Sequence, residues 1–108
     1  MLDLTQADNG KSVEARPGDL ITIRLRENPT TGFRWAVDKV DPVCVEAQGS
    51  SFSRAGNVAV GGGGERTFSF QVKGESGTGN IGLKLWREWE GDPSVTERYR
   101  VTVNVSGR

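Results

Sequence analysis

The chain has 108 residues, 14 basic against 14 acidic, one Cys, 15 Gly and no His; glycine brings its 34% apolar share to about half, as in ordinary globular chains. That length makes one domain, residues 1–108, around one modest core, and a formal net charge of zero with scattered Lys and Arg gives no pull toward nucleic acid or a membrane surface. Without an imidazole there is no Ser-His-Asp or Cys-His nucleophile system and no His-ligated zinc, so no catalytic residue, metal ligand or cofactor is assigned.

Along the chain, period-2 alternation of apolar and polar residues recurs, while helical periodicity does not. Leu2–Thr5 and Ser12–Ala15 are short strand candidates, and the turn Arg16-Pro17-Gly18-Asp19 follows them. The opening residues carry neither a basic n-region nor an apolar h-region. The location is then cytoplasmic if Met1 is the native start, and periplasmic or secreted if a signal was removed. Residues 20–26 alternate around Ile21, Ile23 and Leu25, and the run 34–39 is built around Trp35 and Val37. In the weaker candidate 43–47, Cys44 has no disulfide partner and reads as a small buried apolar residue in a strand. Phe68, Phe70 and Val72 alternate next, then Ile81, Leu83 and Leu85, and finally Tyr99, Val101, Val103 and Val105. No stretch approaches the roughly 18 apolar residues that cross a bilayer as a helix. The predicted fold is all-β: an immunoglobulin-like antiparallel β-sandwich of about seven to eight strands, without the Cys…Trp…Cys signature of antibody domains.

Because successive strands reverse direction, every second connection emerges at the same end of such a sandwich. Counted from the strand at 20–26, the connections at 27–33, 55–64 and 87–94 share one end. The first contains Asn28, Pro29, Thr30, Thr31, Gly32 and Phe33: a proline that fixes φ, a glycine able to adopt positive φ, and two β-branched residues between them. It is a stiff loop, or else a plain connecting turn. The second ends in Gly61, Gly62, Gly63 and Gly64, whose bare backbone admits close approach by another chain. Glu65-Arg66-Thr67 replaces the Lys-Ser/Thr of a phosphate loop and a strand follows, which leaves a flexible linker as the alternative. In the third, Arg87 and Trp89 continue the face of Leu83 and Leu85 beyond the strand end, a residue pair enriched at binding hot spots. The alternative there is that Trp86 and Trp89 fold back as core. Glu88, Glu90 and Asp92 read as a solvated face, since neither a calcium-loop spacing nor a glycosidase carboxylate pair is made. Asn104-Val105-Ser106 fits a glycosylation acceptor only formally.

Together these residues resemble the chagasin-type inhibitors of papain-like cysteine peptidases. In that family an Asn-Pro-Thr-Thr-Gly-aromatic loop, a Gly-x-Gly-Gly loop and an Arg-Pro-aromatic loop follow one another, here at Asn28 to Phe33, Gly61 to Gly64, and Arg87-Glu88-Trp89. Glu97-Arg98-Tyr99 is similar to the opening of the family's last strand. Glu88 stands where the family has proline, and Phe33 where tyrosine is commoner. The resemblance implies reversible, competitive, tight-binding inhibition of a papain-like cysteine peptidase of cathepsin L type, by a chain that is monomeric when free. It implies that the Asn28 to Phe33 loop crosses the catalytic centre with Thr31 nearest it. The glycine run would follow the non-primed side, and Arg87 and Trp89 would grip the primed side. The competing expectation is an immunoglobulin-like adhesion or structural module that binds a protein or sugar through the same loops.

Overall fold

The computed structural model describes residues 2–54, 64–74 and 76–106. Among them are eight strands: β1 (Leu2–Thr5), β2 (Ser12–Ala15), β3 (Leu20–Glu27), β4 (Arg34–Val40), β5 (Val45–Arg54), β6 (Gly64–Val72), β7 (Gly77–Trp86) and β8 (Glu97–Val105). They form two four-stranded sheets in the orders β1-β3-β6-β5 and β2-β8-β7-β4. The alternating positions supply the core between the sheets. Ile21, Ile23, Leu25, Phe68, Phe70 and Val72 come from the first, and Ile81, Leu83, Tyr99, Val101, Val103 and Val105 from the second.

Strict reversal of chain direction explains the pairing. Odd-numbered strands run one way and even-numbered strands the other, so β3–β6, β5–β6, β4–β7 and β7–β8 are antiparallel. The neighbours β1–β3 and β2–β8 share parity and pair parallel, with Leu2 opposite Ile21 and Val13 opposite Val103. The antiparallel expectation therefore holds from β3 onward, while the two N-terminal strands make each sheet mixed.

Two segments depart from the expected boundaries. β5 starts at Val45 and runs to Arg54, with a bulge between Ala47 and Gly49. It is an edge strand whose outward positions carry Ser, Gln and Glu, so little alternation marks it. Cys44 is buried as expected, but in the turn before β5 rather than in a strand. It lies against Gly79, where an added Cβ would sit 2.7 Å from the Cys44 Cβ. Gly79 belongs to β7, although the glycine-bounded run 74–79 reads as a turn signal in the sequence.

The registers fix which connections share an end. Glu27 is opposite Gly64, Gly64 opposite Arg54, Arg34 opposite Trp86, and Leu85 opposite Glu97. The segments between β3 and β4, β5 and β6, and β7 and β8 accordingly leave the sandwich at one end, as parity required.

Candidate functional site

The connection from β3 to β4 is a closed turn built from its own side chains. Asn28 Oδ1 accepts from the Thr30 backbone N–H at 3.1 Å and from the Thr30 hydroxyl at 2.7 Å. The Asn28 carbonyl accepts from the Thr31 N–H at 3.2 Å and from the Thr31 hydroxyl at 2.8 Å. Thr31 Oγ1 in turn accepts from the Phe33 N–H at 3.2 Å. These bonds hold Pro29–Thr31 as a 3-10 turn, followed by Gly32 at φ +81°, a region a side chain rarely enters.

The connection from β7 to β8 folds as two short 3-10 turns, Glu88–Glu90 and Asp92–Ser94. Ser94 ties them together: its Oγ accepts from the Arg87 N–H at 2.9 Å, and its hydroxyl lies within bonding distance of the Gly91 and Arg87 carbonyls. Lys84 stands over the Trp86 ring at 3.6 Å and bonds Asp92 at 3.2 Å, so Trp86 stays at the sheet surface rather than in the core.

These two connections meet. The Arg87 guanidinium donates through Nε and Nη2 to the Thr31 carbonyl at 3.3 and 3.2 Å, lies 4.5 Å from the Phe33 ring centroid, and pairs with Glu90 at 3.4 Å. Trp89 is 71% exposed, yet one edge of its indole rests on Gly32, where an added Cβ would stand 2.8 Å from Trp89 Cη2. Asn28, Thr30, Thr31, Gly32, Phe33, Arg87 and Trp89 are thus joined by bonds and contacts at one end of the sandwich, with Pro29 in the backbone of the same turn. The alternative that Trp89 is core falls with its exposure. Gly61, Gly62 and Gly63 lie outside the described residues, and Gly64 is the first residue of β6 rather than loop.

Sequence reasoning missed what lies beneath this surface. Glu27 is the one charged residue buried among those described, and it holds Arg66 by a two-pronged ion pair with a shortest distance of 2.8 Å. The signal was present: both residues fall on the inward parity of their strands, Glu27 after Leu25 and Arg66 before Phe68. Among the described residues no group of His, Cys, Asp and Glu is placed to hold a metal ion.

Residues 14–103 match the family model described as chagasin family peptidase inhibitor I42. Chagasin of Trypanosoma cruzi is 31% identical over 110 residues, covering 95% of this chain and 96% of that protein. Amoebiasin-1 of Entamoeba histolytica is 28% identical over 106 residues, covering 96% and 99%. Among solved structures, a cysteine protease inhibitor of Entamoeba histolytica superposes with a TM-score of 0.82 at 23% identity, covering 96% of this chain and 94% of that one.

Proposed function

This chain belongs to the chagasin family of peptidase inhibitors, and from that premise we propose that it blocks papain-like cysteine peptidases with the loop end just described. It is an inhibitor, not an enzyme, and needs no chemical group of its own to act. The observation that carries the reading is the joining of the two loops: Arg87 bonded to the Thr31 carbonyl, and Trp89 seated on Gly32 with most of its ring in solvent.

A surface assembled before docking loses little conformational entropy on binding. The turn at Pro29–Thr31 presents the Thr30 and Thr31 side chains, while the Thr30 and Thr31 N–H groups bond to Asn28 and the Thr31 carbonyl accepts from Arg87. Cleavage needs an extended segment across the catalytic centre. To reach that form this loop must give up the bonds around Asn28 and Thr31, so it occupies the cleft without being cut. Thr31 stands at the catalytic centre and Trp89 supplies the apolar anchor on the primed side. Arg87 acts mainly inside the inhibitor, since its guanidinium is engaged with Thr31, Phe33 and Glu90. The glycine run, including Gly61 to Gly64, follows the non-primed side by main-chain contact, and the interface is of standard size, about 800 Å² per partner.

Titration of papain and of a cathepsin L-type peptidase at fixed substrate tests this. Activity falls linearly to a sharp endpoint at one inhibitor per active enzyme, and electrophoresis of the mixture finds the inhibitor chain intact. Full peptidase activity at micromolar inhibitor, or progressive cleavage of the chain, overturns it.

A further inference from the structure

The path from β3 to β4 leaves one sheet and enters the other, so no backbone ladder joins the two strands at the base of the Asn28 to Phe33 loop. Two bonds that use side chains close it instead. Glu27 Oε1 accepts from the Trp35 backbone N–H at 2.7 Å, and the Trp35 indole N–H donates to the Arg26 carbonyl at 2.8 Å. The same Glu27 carboxylate receives Arg66, through Nε at 3.3 and 3.2 Å and Nη2 at 2.8 Å. Arg66 lies in β6, two residues past Gly64, and its guanidinium stands 5.4 Å from the ring centroid of Phe52 in β5. β5 and β6 are the strands on either side of the glycine run.

A buried ion pair is a poor source of stability, because an apolar pair of similar volume does as well or better. What it adds is geometry, since a forked guanidinium fixes both distance and angle to a carboxylate. We propose that Glu27 and Arg66 are positioning residues, a clamp that sets the Asn28 to Phe33 loop against the strands flanking the glycine run and so holds the binding end in its docking shape before a peptidase arrives. The proposal rests on the inhibitory reading above. Its consequence is for binding: when the docking shape is only partly populated, the apparent affinity and the productive association rate both fall by that fraction.

The decisive variant is Glu27→Gln/Arg66→Met, which removes both charges together and leaves a side-chain oxygen at position 27 for the Trp35 amide. Its thermal midpoint matches or exceeds that of the parent. Its association rate with papain falls at least tenfold, and amide hydrogen exchange of Thr30 and Thr31 in the free protein quickens at least tenfold. A merely structural pair predicts the opposite, with inhibition lost only in step with stability. Association within twofold of the parent, or unchanged exchange at those two amides, overturns the clamp. Should the double variant not fold, the same readouts on Glu27→Gln decide it. Should the parent itself fail to inhibit, the inhibitory reading fails, and the exchange measurement on the free chain still judges the clamp.

Discussion

Trp89 and Gly32 are a matched pair, and each explains the other. A tryptophan that is 71% exposed contributes little to folding, so its place on the surface is a matter of binding. Trp89→Ala should weaken inhibition by about 2 kcal/mol, roughly 30-fold, while the denaturant midpoint hardly moves. An inhibition constant equal to the parent's would remove Trp89 as an anchor. Gly32 has a different burden: at φ +81° any Cβ is strained by about 1–2 kcal/mol, and here it also meets the Trp89 ring at 2.8 Å. Gly32→Ala is therefore expected both to lower stability by about 1 kcal/mol and to push the indole off its seat. Its inhibition constant should rise further than that stability loss explains, and purely parallel losses would show that the seat is unimportant. Thr31 is exposed, so a larger residue there, such as Thr31→Arg, should impair inhibition without unfolding the domain.

At the level of elements, the two described connections of the binding end differ in what holds them. The β3–β4 loop is closed by its own Asn and Thr side chains, and the β7–β8 segment by Ser94, while Arg87 bridges the two. Arg87→Lys keeps the charge and loses the planar fork that spans the Thr31 carbonyl and the Phe33 face. Inhibition should fall at least tenfold, as expected from the ≈ 1.5–3 kcal/mol of a hydrogen bond to a charged group. An unchanged constant would mean that the loops hold their places without the bridge. Much of this architecture was legible in the sequence, because alternation marks β3, β6, β7 and β8 and parity gathers the loops at one end. The rest lay in contacts between distant residues. Nothing local announces that the Arg87 side chain turns inward to Thr31, and the bulge in β5 breaks the very period by which a strand is read. Gly79 looks like a turn until Cys44 is known to sit on it.

Across the whole molecule, one hydroxyl links the two sheets through β1, at the opposite edge of its sheet from β5. Tyr99 of β8 is 2% exposed, and its O–H donates at 2.9 Å to the Thr5 carbonyl at the end of β1, in the other sheet. Burial, together with the nearby Asp8 carboxylate, pushes its pKa up to about 12 from the ordinary value of 10.0. The folded state therefore keeps this proton at pH values where the unfolded chain has already lost it. For a group of this kind the contribution to stability is complete below about pH 10 and drains away as pH rises toward 12, where the folded protein must surrender the proton as well. Tyr99→Phe removes the bond and should lower stability by about 1 kcal/mol at neutral pH. The informative quantity is the difference between parent and variant, in which everything but position 99 is shared. That difference should hold constant from pH 7 to about 9.5, then shrink, vanish near pH 11 and reverse in sign toward pH 12, because two pKa units are worth about 2–3 kcal/mol and only the parent has a phenol to ionise. Denaturant midpoints measured at half-unit steps would trace it, and a gap of constant size to pH 12 would mean that the Tyr99 hydroxyl ionises as freely in the folded protein as in the unfolded chain.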